Sequence, residues 1–257
     1  MIAIALATTY WGGFAFWLLW FAAFAAVAWE WHRMASGEGA ATRMRIWLSW
    51  FALALAAALT ATGAWHWAAL AIAAAAVLCA FIGGDGSQRA VSAGGLLYAG
   101  LPLVAVVALR GDSAEGRTAL FWLYAVVWTT DIGAYFVGRA FGGPKLWPSI
   151  SPGKTWSGAV GGTLLGAGAG LLFSGATDDS YVLGALGLGA SLASQAGDLF
   201  ESALKRRFGV KDSSALIPGH GGVMDRLDGF IAAALLAAIV AGVNSESGNL
   251  GAGLFMW

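Results

Sequence analysis

Hydrophobic positions along the chain gather into long uninterrupted runs, and charged positions into short clusters between them. Residues 1–29 hold no Asp, Glu, Lys or Arg, and neither do 46–84, 90–109, 118–130, 155–177, 181–197 and 229–245. A helix that crosses a bilayer needs about 20 mostly apolar residues. Most of these runs therefore predict one membrane span, and 46–84 predicts two, broken near residues 60–67. The expected helices are 13–32, 46–62, 65–82, 91–109, 118–140, 156–175, 181–206 and 226–244, and residues 1–10 could add a short first one. The bland alternative for any one apolar run is a helix buried in a soluble core, but so many runs leave no soluble shell to bury them. The fold class expected is all-α, a polytopic integral membrane helical bundle of about eight to nine transmembrane helices.

Composition sharpens this picture. The chain has 257 residues, 59% of them hydrophobic and only 11% charged, whereas soluble domains carry about 25% charged residues. A soluble globular enzyme and a disordered chain are both excluded. The 14 Lys and Arg balance 14 Asp and Glu, so there is no net basic field and no nucleic-acid partner is expected. The N-terminus lacks a basic region and a clear cleavage site, which argues against a secretory signal peptide. The one cysteine, Cys79, sits inside an apolar run and excludes an intrachain disulfide or a cysteine metal site.

The placement of the cations predicts an orientation. With alternate loops assigned to one side, Arg33, Arg43, Arg45, Arg89, Arg139, Lys145, Lys154, Lys205, Arg206, Arg207, Lys211 and Arg226 fall together. Arg110 and Arg117 fall opposite, beside Asp112 and Glu115, with Asp178, Asp179 and Glu246 in other loops of that face. Twelve cations against two is a strong positive-inside signal. Residues 139–155 and 203–226 are expected to face the cytoplasm, and the C-terminus to face outward.

Residues 1–257 read as a single integral membrane domain with a gradient of character. Residues 1–117 are mainly lipid-embedded helices rich in Ala, Leu and Trp, while 118–244 hold the polar residues at membrane depth and the cytoplasmic loops. Gly158, Gly162, Gly166 and Gly170 recur every fourth residue and line one helix face, as do Ala185, Gly189, Ala193 and Gly197. Small residues so spaced let helices approach closely. Packing within the chain is the favoured reading, and a dimer interface the other.

Candidate chemistry lies in the second half. Asp131 falls inside an apolar helix, where a charge costs roughly 3 kcal/mol on insertion scales, so it should face a protein interior or a polar cavity. Asp198 and Glu201 share a helix face, with Lys205 one turn further on. Asp225 and Asp228 repeat the spacing of three, with Arg226 between them. Interhelical salt bridging could account for any one of these carboxylates. Five of them converging with cations at one cytoplasmic edge favour an active site. Carboxylates are hard ligands suited to Mg²⁺, which also takes substrate phosphates, and Lys and Arg neutralise the remaining phosphate oxygens. Phosphoryl or nucleotidyl transfer depends mainly on such positioning and charge stabilisation. Ser151, Lys154 and Thr155 lie in a turn that leads into the Gly-rich helix, where N-terminal N–H groups can bind an anion. The P-loop spacing is absent there, and an N-cap is the favoured role. His220, between glycines that include Gly221, is a further candidate, because such glycines let backbone approach a ligand closely.

The segment Ser202–Ala203–Leu204–Lys205–Arg206, then Lys211–Asp212, then Pro218–Gly219–His220–Gly221–Gly222–Val223–Met224–Asp225–Arg226–Leu227–Asp228 resembles the C-terminal signature of the phosphatidate cytidylyltransferase (CDP-diacylglycerol synthase) family, in order and spacing. Gly197–Asp198 with Glu201–Ser202, the Asp131–Tyr135–Gly138–Arg139 segment and Ser151–Thr155 are similar to that family too, and the Trp29–Glu30–Trp31 region loosely so. There are two departures. Ser157 stands where relatives usually carry Glu or Gln, so no role is assigned to it, and the N-terminus is short for a complete first helix. The resemblance implies conversion of CTP and phosphatidic acid to CDP-diacylglycerol and pyrophosphate, with Mg²⁺ required. It also implies a monovalent cation such as K⁺, a homodimer, and a place in the bacterial inner (cytoplasmic) membrane with the active site facing the cytoplasm. In that reading Asp198, Asp225 and Asp228 form the metal centre and take part in catalysis with Lys205, Arg206 and Arg226. Asp131, Ser151, Lys154, Thr155, Lys211, Asp212, His220 and Gly221 line the substrate site, and Glu201 is a secondary candidate.

Rival readings are a CTP-using polyprenol or dolichol kinase and a transporter. The near-complete signature disfavours the kinase. The apolar outer half of the chain disfavours the transporter.

Overall fold

The computed structural model describes residues 2–83, 85–177, 179–245 and 249–257. Asp178 and Glu246, expected in outward-facing loops, lie outside the described residues. The chain divides into two compact units, Met1–Asp112 with Asp212–Arg226, and Ser113–Lys211 with Leu227–Trp257. The first boundary falls close to the change in composition at residue 117. The assignment of 212–226 to the first unit could not be read from composition.

The first unit contains α1 (Ile2–Trp11), α2 (Gly13–Ser36), α3 (Ala40–Ala61), α4 (Trp65–Phe81) and α5 (Gly86–Arg110). Helix α4 packs on α3 and α5, and α2 packs on the same two, around a core that includes Phe24, Val27, Leu53, Ile72, Leu96 and Leu103. The break expected near 60–67 is made at Gly63, whose φ of 81° is open to glycine without a Cβ clash. Buried arginines close two helix ends. Arg110 donates to Thr9 O at 2.6 Å and Tyr10 O at 3.2 Å, and Arg45 donates through Nη2 to Ile82 O and Gly83 O, both at 2.6 Å. Each supplies a donor to carbonyls at or just beyond a helix terminus, where no helical partner remains.

The second unit contains α6 (Ala114–Phe141), β1 (Lys145–Trp147), β2 (Ser151–Thr155), α7 (Trp156–Leu171), α8 (Ser180–Arg207), α9 (Met224–Asn244) and the short α10 (Leu250–Gly253). The first three residues of α9 belong to the first unit. The eight helices expected from the apolar runs are all present, together with the additional first one. The expected turn at Ser151–Thr155 is instead strand β2, paired antiparallel with β1 through Lys145↔Thr155 and Trp147↔Ser151. Hairpin pairing is a contact between segments that apolar run length does not register.

The glycine stripe of α7 seats directly on α6. A methyl group at Gly158 would lie 2.6 Å from Ala134 O, and one at Gly162 would lie 2.6 Å from Thr130 O. Helix α6 answers with its own residues four apart, Val126, Thr130, Ala134 and Gly138, so the two backbones meet along their length. On α8, a methyl at Gly197 would meet Asp228 O of α9 at 2.6 Å. Packing within the chain is therefore what the α7 stripe and Gly197 serve.

Among the described residues, five helices are long and apolar enough to cross a membrane: α2, α3, α5, α6 and α9. Helices α1 and α4 are shorter and also apolar. Large side chains face outward, with Phe51 69% and Leu172 83% exposed, as expected of a surface covered by lipid rather than water. The protein is a polytopic helical membrane protein.

Candidate active site

The polar residues of the second unit surround a cavity of about 620 Å³, lined among others by Asp131, Tyr135 and Arg139 of α6, Lys145 of β1, Lys154 of β2, and Gln195 and Asp198 of α8. The local sequence explains how they meet. Glycines at 138 and 158 bring α6 and α7 into contact beneath the hairpin. Thr155 ends β2 and caps α7, its Oγ1 accepting from Gly158 N at 3.1 Å. That cap fixes the preceding residue, Lys154, at the cavity wall.

Lys154 forms an ion pair with Asp198, and their side chains are 28% and 31% exposed. Asp131, which follows the apolar run 118–130 of α6, opens into the cavity and lies within electrostatic range of Asp228, Asp198 and Lys154. Asp228 accepts from Gly229 N at 2.7 Å and lies within electrostatic range of Asp198 and Lys154. Glu201 is fully buried and pairs with Lys205 at 3.3 Å. Ser202 donates to Asp198 at 3.4 Å. The second unit thus brings together Asp131, Lys154, Asp198, Glu201, Lys205 and Asp228.

The other residues expected there have different settings. Arg206 is exposed and donates to Ile150 O and Val210 O, each at 3.4 Å, which joins the hairpin turn to the end of α8. Ser151 is half-buried in β2, and Lys211 is exposed. Ser157, to which no role was assigned, donates to Gly142 O and so fastens the start of α7 to the end of α6.

The signature segment of the first unit is built differently. Ile217 N donates to Gly221 O and His220 N to Ile217 O, each at 2.9 Å, and Gly219 and Gly221 take φ of 76° and 81°. This tight turn leaves the His220 side chain exposed. Arg226 folds back and donates to His220 O at 2.6 and 3.1 Å. Oδ2 of Asp225 accepts from Ser213 N, Ser213 Oγ and Gly222 N at 2.8–2.9 Å. Asp212 is exposed.

Three charged side chains gain a site role only in the folded chain. Arg139 reads from the sequence as an orientation signal and as part of a segment similar to the family, and Lys145 as an orientation signal, yet both line the cavity. Glu30 had been noted only as part of a loosely similar region, yet its carboxylate is fully buried and accepts from Ser213 Oγ, Ser214 Oγ, Val223 N and Met224 N. The signal was available, because Glu30 is the first charged residue of the chain and an acid in a spanning helix marks a functional site by default.

Among the described residues, no three or more His, Cys, Asp or Glu side chains stand as a preformed metal cage. The donor set of the second unit nevertheless suits Mg²⁺. Asp131, Asp198 and Asp228 are hard oxygen donors within electrostatic range of one another and of Lys154, and Mg²⁺ typically takes one or two carboxylates and completes its shell with water and phosphate oxygens.

Helix lengths and this cavity of mixed acids and cations define a polytopic membrane protein equipped to hold an anionic ligand. The chain belongs to the Cytidylyltransferase family, whose model matches residues 1–243. It is similar to the phosphatidate cytidylyltransferase of Brucella abortus biovar 1 (strain 9-941), at 49% identity over 171 residues that make up 66% of this chain and 63% of that protein. Proteins of the same name from Bacillus subtilis (strain 168) and Haemophilus influenzae (strain ATCC 51907 / DSM 11121 / KW20 / Rd) are 41% and 44% identical. Those matches cover 52% and 48% of this chain and 51% and 45% of theirs. The matched part of the chain spans less than two thirds of the length of each of these relatives.

Proposed function

We propose that this protein transfers the cytidylyl group of CTP to phosphatidic acid, giving CDP-diacylglycerol and pyrophosphate. The observation that carries this reading is the cavity of the second unit, where Arg139, Lys145 and Lys154 face Asp131 and Asp198. A lipid phosphate oxygen attacks the α-phosphorus of CTP, the bond from that phosphorus to the α–β bridging oxygen breaks, and pyrophosphate leaves with the electron pair. The attacking oxygen is already anionic at neutral pH, so no strong general base is needed. The work left to the protein is to align two anions and spread their charge.

Lys154, Arg139 and Lys145 hold phosphate oxygens in this reading, with Lys154 exchanging its partner Asp198 for a substrate oxygen. Mg²⁺ is assigned to Asp198 and Asp228, with Asp131 lining the same cavity. When bound, it would neutralise triphosphate charge. Asp225 serves within the first unit as the acceptor that folds residues 213–222 onto the start of α9. A monovalent cation such as K⁺, a homodimer, eight to nine spans and a cytoplasm-facing site in the bacterial inner membrane complete the proposal. The twelve-to-two cation bias supports that orientation.

The test is one incubation of purified protein with CTP labelled at the α-phosphate, phosphatidic acid and Mg²⁺, followed by lipid extraction. The expected result is label in the lipid phase as CDP-diacylglycerol with equimolar pyrophosphate. Unlabelled lipid phase, or CDP released with γ-phosphate moved to lipid, overturns the reading.

A further inference from the structure

Glu30 has no solvent exposure and sits near the end of the spanning helix α2. A buried carboxylate is tolerated where hydrogen bonds replace its water, and here three neutral donors do so, with a fourth, the Ser213 hydroxyl, shared with Asp225. Oε1 accepts from Ser214 Oγ at 2.6 Å and Val223 N at 2.8 Å. Oε2 accepts from Met224 N at 2.7 Å and Ser213 Oγ at 3.2 Å. Val223 and Met224 are the residues at which α9 begins, where backbone N–H groups have no helical acceptor and the helix dipole favours an anion. The Ser213 hydroxyl also lies 2.9 Å from Asp225 Oδ2, so the single proton of one serine is shared between the carboxylate of α2 and that of α9. At Gly222 any side chain would run into Ser213 and Glu30. One side chain from α2 therefore grips both ends of the segment 213–224, the stretch that presents His220 and Gly221 and is continued by Asp225 and Arg226.

We propose that Glu30 is the positioning residue of the signature segment, acting on cytidylyl transfer through the backbone it holds rather than by touching substrate. The inference rests on the functional reading above. Glutamine is nearly the same shape, but whichever way its amide turns, an NH₂ group faces the N–H of Val223 or of Met224. The isosteric E30Q variant therefore cannot keep the clamp.

The experiment uses the full chain in lipid nanodiscs and follows two readouts, hydrogen exchange of peptides covering 212–226 and steady-state cytidylyl transfer. In E30Q, exchange across 212–226 should rise at least about tenfold and kcat per folded molecule fall at least about tenfold, the scale expected when catalytic groups lose alignment. Exchange in α6 and α7 should stay at the wild-type rate, and KM for CTP should change by less than about threefold, marking lost transition-state alignment rather than lost binding. S214A, which removes only one donor, should show a smaller change of the same kind and decides the matter if E30Q does not fold. Unchanged exchange in both variants overturns the proposal. Raised exchange with wild-type kcat also overturns it, because Glu30 is then only structural. If the wild-type protein transfers no cytidylyl group, the functional reading falls, and exchange alone decides the clamp.

Discussion

Lys154, near the end of a short strand, is ion-paired to Asp198 in the second half of α8. Both side chains remain about one third exposed, and exposed pairs contribute only about 0–1 kcal/mol to stability. The pair is therefore a poor structural fastener, and its place on the cavity wall gives it a better use in binding. K154M and D198N should each leave the thermal midpoint within a few degrees of wild type. Each should lower kcat/KM by roughly 10- to 100-fold, matching the about 1.5–3 kcal/mol of a hydrogen bond to a charged group. Steady-state kinetics beside a thermal melt would check this, and full activity in both variants would remove them from the site.

Arg139 and Lys145 should act mainly on nucleotide binding, because each supplies a cation to the cavity from a different element. R139Q and K145Q are expected to raise KM for CTP by roughly tenfold with a smaller change in kcat, the pattern of an interaction made equally in ground and transition states. A titration of CTP at saturating phosphatidic acid reads the effect directly.

The α6–α7 seam makes a packing prediction with an internal control. G162A places a methyl 2.6 Å from Thr130 O, so the helices must part or shift, at a cost of about 1–3 kcal/mol. G168A meets nothing within 4 Å and should be neutral or slightly stabilising, since alanine favours helix over glycine by about 1 kcal/mol. Unfolding of both variants in mixed detergent micelles would separate them. Equal stability would mean that the close approach is not needed.

Thr155 should matter for stability because it caps α7. T155A is expected to cost about 1 kcal/mol and T155S almost nothing, since serine keeps the capping oxygen. Any activity loss in T155A beyond that explained by stability would show that the cap also fixes Lys154.

Asp225 and Asp228 should part company when each is changed to Asn. D228N is expected to abolish turnover while keeping wild-type exchange in 212–226. D225N should instead raise exchange there, because Oδ2 of Asp225 accepts from Ser213 and Gly222 and an amide at that position can leave those donors facing a donor. Identical exchange profiles would contradict the separate roles.

Much of the fold was legible because its cause is local. A run of about 20 apolar residues has little choice in a bilayer but to be a helix, and small residues every fourth position mark a seam whichever helix they meet. Asp131 was legible for a similar reason, since an isolated charge in such a run needs a polar surrounding. The hairpin Lys145–Thr155 was not legible, because pairing between two short segments leaves no periodic trace in either. Lys145 reads equally well as an orientation signal, and only the cavity gave it a second meaning. Glu30 carried a visible signal but no visible partner, because its four donors lie more than 180 residues away along the chain.

The sequence by itself determined that the chain is a membrane helix protein, where its helices run, and that its acids and cations collect after residue 118, since each follows from local transfer energies and from spacing. Only the tertiary structure decided which charges meet. It paired Lys154 with Asp198, and it tied Glu30 and Asp225 to the signature segment. The reason is physical. A buried or half-buried charge is satisfied by whichever donor the packed backbones bring within hydrogen-bond reach, and that choice depends on how helices and loops seat against one another, which no single stretch of sequence encodes.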